Sequence, residues 1–296
     1  MKFVELSKKI KRKLFNVLMG ALRKSANLQI NTVSLNIGEV VYLDNIKNIT
    51  KAEDTLVLIH GLGADKDTWL QFAKYLTKNY RIIAPDLPGH GHSIQDLSIN
   101  YSVEVQALCI LELLQNLNLQ RVHIIGSSMG GAIATKLSDI QPEIVSSLIL
   151  INSYGAIKTP SYIYKLADEI GYNPMLEINN KDDYKKMMSF AMVNPPFVPG
   201  FMLDVLADDM KERVGLNKKI LNDSEIDNDQ TAILSKIKIP SLVIWGKDDK
   251  VLHVDNAEVF NKELCNCSKV ILDETGHVPM VENPKVTAIH VMKFIH

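Results

Sequence analysis

The 296-residue sequence predicts an α/β fold: a mostly parallel, eight-stranded sheet with helices on both faces and a helical insertion late in the chain. Three observations carry this. Short, wholly apolar runs recur along the chain, as strands buried on both faces require. Stretches of helical period lie between them, the alternation of βαβ units. The alternation stops once, over residues 155–237, and then resumes. Apolar residues are 46% and charged residues 23%, ordinary globular usage. That excludes a disordered chain, a collagen-like repeat and a polytopic membrane protein.

The first element is set apart by charge. Residues 1–24 carry Lys2, Lys8, Lys9, Lys11, Arg12, Lys13, Arg23 and Lys24 against Glu5 alone, a charge of +7. The remaining 25 basic and 33 acidic residues give −8, so the total of −1 hides a basic head on an acidic body. This balance predicts no nucleic-acid partner. Phe3, Leu6, Ile10, Leu14, Val17, Leu18 and Ala21 recur mostly at steps of three and four, the spacing of one helical face. Lys8, Lys9, Lys11, Arg12 and Lys13 crowd the other side. Three readings are open. The helix lies in a membrane interface, with cations on anionic headgroups, as a peripheral contact through residues 1–24. It is an export signal, although no clean A-x-A site follows. Or it is a solvated basic helix packed on its own protein or on a sister subunit, which leaves the chain cytoplasmic. The apolar run over residues 14–22, broken only by Asn16, is too short to span a bilayer.

The segment 1–30 therefore precedes a core in two parts, 31–154 and 238–296, split by the insertion 155–237. Residues 33–37 alternate, Gly38-Glu39 turns, and residues 40–43 continue, which predicts a hairpin. Apolar runs at 56–59, 81–84, 122–125, 148–151, 242–245 and 270–272 supply six more strands. Residues 68–76, 103–117, 129–140, 256–263 and 284–294 read as helices. Pro160, Pro174, Pro195, Pro196 and Pro199 punctuate the insertion, which holds Met175, Met187, Met188, Met192, Met202 and Met210. Methionine is unbranched and adaptable, so these side chains either face a variable apolar ligand or simply pack the insertion. Cys109, Cys265 and Cys267 form no zinc spacing and no disulfide framework.

Chemistry concentrates at Gly126-Ser127-Ser128-Met129-Gly130-Gly131, between a predicted strand and a predicted helix. A G-x-S-x-G pattern in that context is a tight turn that exposes a serine, and bulky flanking residues would clash there. The register selects Ser128 over Ser127, because the alternative needs glycine at Ile125 and Met129. A serine hydroxyl needs a base, itself oriented by an acid, in the chain order serine, acid, histidine. Trp245-Gly246-Lys247-Asp248-Asp249 closes a strand and offers two acids. Thr275-Gly276-His277 follows the last strand and offers the base. Oxyanion donors are expected from the amide of Met129 and from the loop His60-Gly61-Leu62-Gly63, by the amide of Leu62.

Taken together, His60-Gly-Leu-Gly63, Asp86-Leu-Pro-Gly-His-Gly-His-Ser93, Gly126-Ser-Ser-Met-Gly-Gly131, Trp245-Gly-Lys-Asp-Asp249 and Gly276-His277 resemble the signature blocks of the α/β-hydrolase superfamily, in order, over roughly residues 31–296. The resemblance implies that Asp249, three after the glycine, is the acid rather than Asp248. A proline often found four residues beyond that acid is His253 here. Some relatives place the acid after the preceding strand, where this chain has Asn152-Ser153 and no carboxylate. Gly-Ser-Ser-Met-Gly-Gly, Asn194-Pro-Pro-Phe-Val-Pro-Gly200 and Gly276-His-Val-Pro-Met-Val-Glu282 are most similar to bacterial lipases and esterases related to monoacylglycerol lipases. In those the insertion is a cap over the active site, with Met187, Met188, Met192 and Phe197 as candidate substrate contacts here.

The expected chemistry is hydrolysis of a small-molecule ester or acylglycerol through Ser128, His277 and Asp249, with no metal or organic cofactor needed. Two rivals share the core. Carbon–carbon bond hydrolases of meta-cleavage products resemble it, but typically carry a cap arginine and a tryptophan soon after the histidine. Here the insertion has only the late Arg213, and Val278-Pro279-Met280 follows His277. A non-catalytic small-ligand-binding protein of the same fold is the other. Oligomeric state is not legible in the sequence.

Overall fold

The computed structural model describes residues 2–49, 54–225 and 229–296, with side chains from Glu5 onward. Phe3, expected on the apolar face of the first helix, has its side chain outside the described residues, as does Lys2. The chain opens with helix α1 (Lys2–Ser25) and the antiparallel hairpin β1 (Gln29–Leu35) and β2 (Gly38–Asp44). There follow β3 (Thr55–Ile59), the short helix α2 (Leu70–Ala73), β4 (Arg81–Pro85), α3 (Val103–Asn116), β5 (Val122–Ser127), α4 (Met129–Ile140) and β6 (Val145–Ile151). Five helices come next: α5 (Tyr162–Ile170), α6 (Lys181–Ala191), α7 (Gly200–Glu212), α8 (Val214–Glu225) and α9 (Thr231–Leu234). Then β7 (Ser241–Gly246), α10 (Asn256–Glu263), β8 (Cys267–Leu272), α11 (Pro279–Glu282) and α12 (Pro284–Ile295) finish the fold.

The eight strands form one sheet in the order β1-β2-β4-β3-β5-β6-β7-β8. The hairpin joins β4 antiparallel, and every other pair is parallel. Side chains alternate across a strand, so an all-apolar run must feed two cores. Val57, Ile59, Ile124, Leu148, Leu150, Val243 and Trp245 pack under α3, α4 and α10. Their neighbours Leu56, Leu58, Ile125, Ile149, Leu242 and Ile244 pack with Trp69, Phe72, Ala288 and Val291 on the other face. Each such side chain, fully buried, contributes about 1.5–3 kcal/mol.

Two expectations change. The helix predicted over 68–76 is instead a 3-10 turn, Lys66–Trp69, running into the single turn of α2. The Asp65 carboxylate caps it by accepting from the Asp67 amide, which starts the turn earlier than apolar spacing suggests. The first helix is also not detached. Lys11 pairs with Asp204 at 2.7 Å and Lys8 with Asp208 at 3.0 Å, both on α7, and Arg12 pairs with Asp209. Arg23 grips Asp67 through Nε at 2.8 Å and Nη2. These four cations thus pair with the body, while Leu6, Ile10, Leu14 and Val17 are 50–65% exposed. Periodicity gives a helix two faces but does not say which one the body takes.

Candidate active site

The carboxyl ends of parallel strands are where open α/β sheets gather ligands. Here β5, β6, β7 and β8 deliver Ser128, Asn152, Asp249 and His277 to that edge. Ser128 joins β5 directly to α4, with φ 54° and ψ −124°. A side chain held there costs on the order of 1–3 kcal/mol, and the surroundings must enforce it. They do so by hydrogen bonds from the Ser128 amide to the Ile151 carbonyl (3.1 Å) and from the Tyr154 amide to the Ser128 carbonyl (3.0 Å). The turn closes so tightly that a Cβ on Gly126 would lie 2.2 Å from the Gly130 carbonyl oxygen. A Cβ on Gly61 would meet the Cβ of Ser128 at 2.9 Å, so glycine there lets the His60–Gly63 loop lie against the serine.

His277 and Asp249 come together. The His277 Nδ1 lies 2.9 Å from Asp249 Oδ2, and both side chains are buried. With the carboxylate on Nδ1, that nitrogen carries the proton and Nε2 is left with its lone pair. Asp249 is itself saturated. Its Oδ1 accepts from the amides of Val251 (2.7 Å) and Leu252 (2.9 Å), and its Oδ2 from Asn152 Nδ2 at 2.6 Å. Asp248 makes none of these contacts; its amide donates to the Thr275 carbonyl.

Ser128, His277, Leu62 and Met129 line one cavity of about 850 Å³. Met129 is the first residue of α4, where a helix leaves its amides without intrahelical partners. Met187, Met188 and Met192 line the same cavity, with Met175, Met202 and Met210. Phe197 does not: it is 91% exposed, although its neighbours Pro196 and Val198 are in the wall. Its place in the Asn194–Gly200 run of the expected cap suggested a substrate contact; the extended proline-rich segment turns it into solvent instead. Among the described residues, no three His, Cys, Asp or Glu side chains cluster to hold a metal ion.

Four residues matter here to which motif reading gave no role. Asn152, noted only for lacking a carboxylate, orients Asp249 and accepts from the Gly246 amide at 3.3 Å. Its φ of 44° marks the same sharp exit from a strand that Ser128 makes. Glu282 receives the Gly276 amide at 2.7 Å and the Asn194 amide, tying the histidine loop to the insertion. Lys66 and Asp86, both fully buried, pair at 2.8 Å, and the Asp86 carboxylate also accepts the amides of Lys66 and His92. That pair anchors the segment just beyond Leu62. Burial pushes His60 down to about 4 and His90 down to about 3, so both rings stay neutral. Burial, with Asp67 and Asp86 nearby, pushes Asp65 up to about 7.

Residues 54–186 match the family model described as the alpha/beta hydrolase fold. "Lipase 3" of Moraxella sp. (strain TA144) is 34% identical over 272 residues, covering 90% of this chain and 84% of that one. Human "Monoacylglycerol lipase ABHD6" is 27% identical over 252 residues, covering 81% and 75%. A crystal structure titled as a membrane phospholipase A superposes with a TM-score of 0.91 at 34% identity, covering 97% of this chain and 91% of that one. Identity at that level over nearly the whole chain reflects kinship and not shared architecture alone, and the chain belongs to the α/β-hydrolase family.

Proposed function

We propose that Ser128 is the nucleophile of a carboxylic ester hydrolase of the lipase and esterase class, acting on acyl glycerides and related lipid esters. The observation that carries the reading is the His277–Asp249 hydrogen bond of 2.9 Å, with His277 lining one cavity together with a serine on a strained strand-to-helix turn. Nε2 of His277 takes the proton as Ser128 Oγ attacks the ester carbonyl, then gives it to the leaving alcohol. Asp249 fixes the imidazole tautomer and stabilises its charged form, and Asn152 holds Asp249. The amides of Leu62 and Met129 receive the oxyanion. Water, deprotonated by His277, attacks the acyl-enzyme and releases the acid. Residues 155–237 form the cap, and its methionines give the acyl group an adaptable apolar wall.

The lipid-like substrate class rests on this wall and on the relatives' names, lipase, monoacylglycerol lipase and phospholipase A. Membrane contact through residues 1–24 is part of the same reading. Leu6, Ile10, Leu14 and Val17 form an exposed apolar stripe on a helix too polar to cross a bilayer. The test is a fluorophosphonate probe followed by turnover of nitrophenyl esters. Ser128 is labelled, and Ser128→Ala loses both label and turnover. Ester turnover surviving in that variant would refute the mechanism.

A further inference from the structure

The first helix carries two apolar sets, and only one of them faces solvent. Leu6, Ile10, Leu14 and Val17 form the exposed stripe. Phe15, Met19 and Leu22 line the cavity that also holds Ser128 and His277. At 100° per residue the two sets lie on opposite sides of α1. The inner set is clamped at both ends. Arg12 pairs with Asp209 of α7, and Arg23 grips Asp67 in the turn that follows the His60–Gly63 loop. The helix is therefore a wall of the cavity, with Leu70 and Ile30 beside it, and not an appendage.

Resting on the reading of Ser128 as an ester-cleaving nucleophile, we propose that Phe15, Met19 and Leu22 form a subsite for the hydrocarbon chain of a lipid taken from a bilayer, and that they set preference for long-chain esters. Three features converge on that occupant. The cavity, at about 850 Å³, stands near the top of the range of small-molecule sites, roughly 300–1,000 Å³, which leaves room beyond a short acyl group. The three side chains offer apolar surface without a hydrogen-bonding group, and of the polar α1 residues in the same wall Arg12 and Arg23 are already paired with Asp209 and Asp67, with Asn16 between them. The outer stripe on the same helix places this wall between a lipid surface and the serine, so a chain leaving that surface meets α1 first. Each methylene buried against it is worth about fourfold in affinity.

The experiment measures kcat/KM of the full-length protein for nitrophenyl esters from acetate to palmitate, and for monoacylglycerols in mixed micelles. The readout is the ratio of long-chain to short-chain kcat/KM. Met19→Trp, which fills the subsite, lowers that ratio at least tenfold. Phe15→Ala, which removes wall, lowers it several-fold, and it serves if the tryptophan variant does not fold. Lys262→Trp, exposed on α10 and outside both the cavity and α1, keeps the ratio of the parent. Equal losses at every chain length would assign α1 a merely structural role and overturn the proposal, as would an unchanged ratio in both inner variants. If the parent protein hydrolyses no ester and takes no fluorophosphonate label, the underlying reading fails instead, and the two failures are distinguishable.

Discussion

Ser128, His277 and Asp249 sit at the carboxyl edge of the sheet, and Ser147, His123 and Asp54 sit at its amino edge. The second group is the same trio of residue types, also linked. His123 Nδ1 meets Ser147 Oγ at 2.7 Å, and His123 Nε2 lies 3.6 Å from Asp54 Oδ2. Yet the surroundings differ at every point that chemistry needs. Ser147 lies inside β6, paired in register with His123 of β5, where Ser128 stands on a turn with φ 54°. Neither Ser147 nor His123 lines the cavity that holds Ser128. Asp54 is half exposed, where Asp249 is fully buried under three hydrogen bonds. The ring is also reversed, with Nδ1 towards serine in one group and towards acid in the other. A trio of side chains is therefore no catalyst without a turn that exposes the serine, amides without partners and a space for substrate.

The sharpest way to break this contrast is to remove each serine. Ser128→Ala lowers nitrophenyl-ester kcat by about 10⁴ or more, whereas Ser147→Ala leaves it within about twofold. A comparable loss in both would mean that the lower group takes part in turnover. The acids come next. Asp249→Asn holds the ring in the wrong tautomer and lowers kcat by about 10³–10⁴, while Asp54→Asn has no effect on kcat. Steady-state kinetics on a soluble ester reads both pairs.

The upper group was mostly legible in the sequence because its parts are local. Glycine at 126 is demanded by the turn itself, and glycine at 130 by the Ile59 carbonyl oxygen, which a Cβ would meet at 2.2 Å; both stand within two residues of Ser128, so the serine can be read from a local motif. His277 and Asp249 follow strands whose apolar runs are unmistakable. Asn152 was not legible as a positioning residue, because its partners, Asp249 and Gly276, lie 97 and 124 residues away. Glu282 was equally hidden, since it acts on backbone amides, which any sequence supplies. The orientation of α1 depends on acids of α7 about 200 residues later, and its own periodicity is silent on them. Phe197 shows the reverse failure: residue type and motif pointed to the cavity, and the local path of the chain decided otherwise.

Asn152 sharpens the comparison at the next level, because among the described residues no side-chain amide donates to Asp54 as Asn152 does to Asp249. Its Nδ2 donates a charge-assisted bond to Asp249, a contact worth roughly 1.5–3 kcal/mol. Asn152→Ala therefore lowers kcat by about 10- to 100-fold with little change in KM, since the ester itself is untouched. A change confined to KM would move Asn152 from positioning the acid to binding the substrate.

The smallest effect separates histidines that exchange protons from those that must not. His277 cycles through its charged form in every turnover under the proposed mechanism. His60, which opens the His60–Gly63 loop, and His90, whose ring lies 5.0 Å from it, are buried and neutral, held to about 4 and about 3. Unfolded, each ring titrates near its ordinary value of 6.5, so below that pH the unfolded chain binds protons that the folded chain refuses. Stability from this source is complete above about 6.5 and is lost as pH falls towards 4, at up to about 1.4 kcal/mol per pH unit for each ring. His90→Phe removes one of the two, together with a buried Nε2 that has no hydrogen-bond partner. Denaturant unfolding from pH 7.5 to pH 4.5 then shows a shallower acid decline in the variant than in the parent. Parallel declines would mean that His90 takes up its proton within the folded protein, and the neutral state of the His60–His90 pair would have to be abandoned.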